Sequence, residues 1–138
     1  MRLGRVLMGV LYVVAGMGHF AFTRAYERVM PPYLPAHHAL VLLSGAAEIA
    51  GGLGVLIPGR RRAAAWGLVC LLVAVFPANL WMAQHPELSP GTPPWLLWLR
   101  LPLQLPLIWW AWQYTNPRLK PHNRQHLDRG LKAPSPPA

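Results

Sequence analysis

The stretch "WLLWLRLPLQLPLIWW", residues 95–110, decides the fold. Its apolar side chains are those of a helix facing hydrocarbon, yet it holds Arg100, Gln104 and two prolines, Pro102 and Pro106. An arginine near the centre of a span costs about 2.5–3.5 kcal/mol on insertion scales. Its guanidinium does not escape by losing a proton. If this stretch crosses a membrane, the rest of the chain must supply a counter-charge, or the side chain must reach the interface.

The chain has 138 residues, enough for one domain. Hydrophobic residues make up 54% and charged residues 12%, about half the charged share of an average soluble domain. The net charge is +9, but the basic residues flank apolar runs and form no basic helix face or recognition motif, which excludes nucleic acid as a partner. Cys70 is the single cysteine, so no internal disulfide can form, and it is expected to pack as a small apolar residue.

A transmembrane helix takes about 20 mostly apolar residues. Four segments qualify, at about 3–22, 37–57, 63–84 and 95–115. "GRRR" at 59–62 reads as a tight turn, and "HPELSPGTPP" at 85–94 as a stiff loop. The first segment is longer than a usual signal-peptide core and no A-x-A cleavage site follows, so it is expected to be a retained helix. With four spans, one side of the membrane holds ten basic residues: Arg2, Arg5, Arg60, Arg61, Arg62, Arg118, Lys120, Arg124, Arg129 and Lys132. The other side holds Arg24 and Arg28. This bias predicts that both termini are cytoplasmic. The expected fold is therefore an all-α integral membrane four-helix bundle, residues 1–115, oriented N-in/C-in. Residues 116–138 form a basic, proline-containing cytoplasmic tail expected to be disordered. Outside, "TRAYERVMPPYLPAHH" at 23–38 suits a short segment lying in the interface with tyrosine anchors. His37 and His38 diverge by about 100° on a helix and make a poor metal pair.

The polar residues within the spans fall at one depth. His19 lies near the outer end of the first span, Ser44 and Glu48 in the outer half and middle of the second, Asn79 in the outer half of the third, and Arg100 and Gln104 likewise in the fourth. Their faces agree. Gly9, Tyr12, Gly16 and His19 form one stripe; Ser44, Gly45, Glu48, Gly51, Gly52 and Val55 form another. Stripes of small residues mark helix contacts, because they let backbones approach. With one acid and one base in this layer, an Arg100–Glu48 ion pair is expected, with His19, Ser44, Asn79 and Gln104 supplying hydrogen bonds. Pro77, Pro102 and Pro106 free the carbonyls of Val73, Trp98 and Pro102, and the last two bracket Arg100 within reach of its guanidinium. The six residues can hold a ligand or only fix the packing of the bundle.

"AGMGHF" (15–20), "PPYLP" (31–35), "SGAAEIAGGLGVLIP" (44–58), "VFPANLWMA" (75–83) and "LWLRLPLQ" (97–104), in this order, resemble the DoxX-like family of small bacterial membrane proteins, related to the MauE/DoxX redox-associated group. The resemblance spans residues 3–115. It implies a four-helix protein of the bacterial plasma membrane, associated with redox systems and named for a subunit linked to quinone-dependent sulfur oxidation. The chain itself carries no paired cysteines, haem-ligand spacing or nucleotide motif. The expected function is thus an accessory or anchoring subunit of a membrane redox system, with no catalytic residue or metal site assigned. The alternative is a protein that binds a quinone or another small molecule in the polar layer. A proton-coupled transporter built on Glu48 ranks behind both. The expected partners are the lipid bilayer and a redox protein, with a homo-oligomer left open.

Overall fold

The computed structural model describes residues 2–116. Among these residues all regular structure is helical: α1 (Arg2–Ala21), α2 (Thr23–Arg28), α3 (His37–Leu56), α4 (Arg61–Gln84), a single 3-10 turn at Pro86–Leu88, and α5 (Pro94–Trp112). The tail expected to be disordered lies, but for Asn116, outside the described residues. Three helices are long and apolar enough to cross a membrane, at Leu3–Ala21, His37–Leu56 and Arg61–Gln84. At 1.5 Å per residue each is about 30 Å long or more, the thickness of a bilayer core. The fourth long helix, α5, is of similar length, but Arg100, Gln104 and its prolines dilute its apolar character.

The helices pack in chain order, α1 on α3, α3 on α4 and α4 on α5, with α2 laid against α3. Glycines explain why α3 takes the middle place. A Cβ at Gly52 would sit 2.7 Å from the Gly9 carbonyl oxygen, and one at Gly16 would sit 2.6 Å from that of Gly45. On its other side, a Cβ at Gly51 would lie 2.5 Å from Leu68 Cδ2, and one at Gly54 would lie 2.6 Å from Ala64 Cβ. The stripe read from the sequence therefore serves two neighbours, and backbone contact replaces side-chain interdigitation on both.

The α3–α4 connection is short, as expected, with Gly59 in the left-handed region at φ 86°. Beside it, at the end of the molecule where α1 begins and α5 ends, Met8, Val55, Ala65, Leu68 and Ala111 form a fully buried core fed by all four long helices. This is the termini end. At the opposite end, His37 donates from Nε2 to the Pro31 carbonyl at 3.0 Å and His38 from Nδ1 to Glu27 at 2.5 Å. The two adjacent histidines thus diverge, His38 holding α2 and His37 the segment that follows it. Ala36, which caps α3, takes a left-handed φ of 50° to turn the chain into that helix. Cys70 departs from expectation: it is exposed on α4 rather than packed inside.

Much of the outer surface is apolar. Leu3, Leu7, Val10, Val14 and Met17 of α1 are exposed, as are Leu105, Trp95 and Trp109 of α5. A continuous apolar exterior of this extent suits lipid and not water.

Candidate functional site

At the α2 end the four long helices stand apart around a cavity of about 480 Å³. All six residues singled out from the sequence line it: His19, Ser44, Glu48, Asn79, Arg100 and Gln104. The structure brings them together, but not in the expected pairing. No Arg100–Glu48 ion pair forms; Glu48 Oε2 instead lies 3.6 Å from His19 Nε2. The cause is the order of the helices. The close approach at Gly16 and Gly45 sets α1 against α3 just where these two side chains project, whereas α5 packs on α4 and keeps Arg100 away from α3. Arg100 neither reaches the Trp98 nor the Pro102 carbonyl; its Nη1 lies 3.8 Å from Met82 Sδ on α4.

His19 is held firmly. Its Nδ1–H donates to the Val41 carbonyl at 3.1 Å, and the Tyr26 ring stacks on it with centroids 4.1 Å apart. With Nδ1 so engaged, the Nε2 that faces Glu48 bears a proton only in the imidazolium form. The pair is attractive when one proton sits on either partner. Glu48 Oε2 is buried and receives no hydrogen bond, and the Tyr12 hydroxyl, also buried on the cavity wall, has no partner either.

The other wall is better satisfied. Asn79 Nδ2 donates to Gln104 Oε1 at 3.4 Å, and Gln104 Nε2 donates to the Leu72 carbonyl. That carbonyl belongs to the residue before Val73, whose own carbonyl Pro77 deprives of its usual donor. Ser44 lines the cavity between the two walls.

Sequence reasoning left α2 out of the site. Ala25, Tyr26, Val29 and Met30 close the cavity at its end. Burial pushes the Tyr26 phenol above its ordinary value, Glu48 pushes it the same way and Arg100 opposes them, so the hydroxyl feels both charges. The signal was available: Tyr26, Val29 and Met30 stand at i, i+3 and i+4, an apolar face that begins on α2 and continues into the turn that ends it. Tyr12 was visible as a polar residue on the His19 stripe.

The cavity can hold a small molecule and offer it acceptors on one wall and donors on the other. Among the described residues no group of three or more His, Cys, Asp and Glu could hold a metal ion. The class is thus an all-helical protein with three helices of membrane-spanning length, consistent with a membrane protein, and a mostly apolar cavity into which several polar side chains face. A family described as Domain of unknown function (DUF8561) matches residues 8–115, and the chain belongs to that family. The match runs from α1 through α5 and includes all six predicted residues. No curated protein and no solved structure gives a significant match.

Proposed function

We propose that this protein binds a small amphipathic molecule between the helices of a four-span membrane bundle. In this reading α5 is the fourth span, its Arg100 and Gln104 turned to the cavity and its tryptophans and leucines to lipid. The basic bias favours cytoplasmic termini, which puts the cavity in the outer half of the membrane, and the DoxX-like resemblance favours a bacterial plasma membrane. The carrying observation is the cavity of about 480 Å³, within the range of pockets that take small ligands, to which all the helices contribute and in which the Glu48 Oε2 atom and the Tyr12 hydroxyl are buried without a hydrogen bond. A purely structural polar layer would satisfy its own members. A quinone is one molecule of suitable size and character.

The test is the ligand content of the protein purified in lipid nanodiscs, read by native mass spectrometry. Wild-type protein should carry one small molecule per chain, and Ser44→Phe with Ala78→Phe, which fills the cavity, should carry none. An empty wild type, or equal content in both, would sink this reading. The DoxX-like motifs favour a second one, an accessory subunit docked on a redox enzyme. A stoichiometric partner recovered in mild detergent would support it.

A further inference from the structure

Resting on the reading that the cavity binds a small amphipathic molecule, we propose that its ligand is a single-chain amphiphile with a neutral hydroxyl head, taken up sideways from the bilayer between α1 and α5. The route follows from which sides are closed. α1–α3, α3–α4 and α4–α5 are packed pairs, and α2 with Val29 and Met30 covers the end. α1 and α5 do not pack along their lengths. They meet at the termini end, where Met8 and Ala111 share the core and Gly4 faces Trp110 and Tyr114. Farther along, the cavity walls themselves are bare: Leu11 on α1 is 46% exposed and Leu103 on α5 is 48% exposed. The opening is edged by leucines and lies at the depth of acyl chains, so the molecule that passes it comes from lipid.

The head group follows from the polar atoms. Glu48 turns its buried Oε2 to His19, while its other oxygen, Oε1, is not among the buried atoms and is open to a donor from the cavity. Oε1 accepts when the proton is on His19, and also when Glu48 carries it on the Oε2 that faces His19. The head must therefore donate. Charge limits it further. A cationic donor is repelled by Arg100 on the facing wall, and an anion is repelled by Glu48 when ionised and gives it no donor. A hydroxyl donates to Glu48 through its hydrogen, and its oxygen lone pairs accept from Arg100 or Asn79, so one small neutral group serves both walls. A head without a donor displaces water from the carboxyl and gives it no hydrogen bond in return, which gives the discrimination its physical basis.

The experiment uses the full chain in nanodiscs and three probes with the same ten-carbon chain: 1-decanol, decyl methyl ether and decyl sulfate. Binding is followed by native mass spectrometry over a series of probe-to-lipid ratios. Decanol should bind one per chain and about tenfold or more tighter than the ether, which keeps the acceptor oxygen and lacks the donor, and tighter than the sulfate. Glu48→Leu should abolish the preference for decanol over the ether. Leu103→Trp, on the exposed rim of the opening, should weaken all the probes that bind wild type. Equal binding of alcohol and ether, or preference for the sulfate, overturns the hydroxyl assignment and leaves the cavity reading standing. Undiminished binding in Leu103→Trp overturns the lateral route. Saturable binding of none of the three overturns both this proposal and the cavity reading. The alcohol-to-ether comparison in wild type keeps the test decisive if Glu48→Leu does not fold.

Discussion

At the termini end, α1, α3, α4 and α5 meet through buried apolar side chains and glycine backbones; at the α2 end the same four helices enclose polar groups and empty space. The residues account for the change. Gly9, Gly52, Gly54 and Ala64 let α3 touch its neighbours at the first end. Toward the second end, α4 and α5 carry Pro77, Pro102 and Pro106, each of which removes a helix hydrogen bond, and the cavity-lining residues of both helices flank these positions. α1 and α3 stay close throughout, because Gly16 and Gly45 repeat the contact at the α2 end. One half of the molecule is therefore a scaffold. The other is a chamber with the α1–α3 pair on one side and the α4–α5 pair on the other.

This contrast can be broken most severely at the scaffold. Leu68→Ala, which empties a fully buried position in contact with Gly51, should lower stability by about 2–5 kcal/mol, read as a fall in thermal midpoint in detergent. If it costs no more than Ser44→Ala at the chamber, the two halves do not differ as described. Gly52→Ala comes next. Its new Cβ meets backbone at Gly9 and the Cβ of Tyr12, neither the far end of a flexible chain, so a loss of about 1–3 kcal/mol is expected in the same measurement. Unchanged stability would show that α1 and α3 are not in backbone contact. The smallest effect concerns the chamber's cover. The Tyr26 phenol is raised in the folded protein, so the folded state holds that proton more tightly than the unfolded one. Its contribution is complete below the ordinary tyrosine value of 10.0 and is lost as pH rises through the higher folded value. Wild-type stability should therefore fall more steeply above pH 10 than that of Tyr26→Phe. Parallel curves would place Tyr26 in solvent, away from His19 and Glu48.

The scaffold was more legible in the sequence than the chamber. Apolar runs of spanning length marked the long helices within a few residues of their observed ends, and stripes at helical spacing marked the faces of α1 and α3 that touch. The depth of each polar residue also followed from counting along its run, which is why six residues from four helices line one cavity. The pairing among them did not follow. The expected Arg100–Glu48 pair rests on charge, depth and inward faces, and none of these says which helix stands next to which. The role of α2 was missed for a related reason: six residues between prolines and charges have too few turns to reveal what their apolar face covers.

By itself, then, the sequence determined the helices, their buried faces and the level at which polar groups collect, because periodicity and hydropathy are properties of one segment at a time. Only the tertiary structure decided the neighbours. Glycine contacts on both sides of α3 fix the order α1–α3–α4–α5, and that order sets Glu48 beside His19, leaves Arg100 across the cavity near Met82, and brings Tyr26 over the end. Backbone approach at small residues is a pairwise, short-range effect that no single segment encodes, and here it prevails over the attraction of opposite charges.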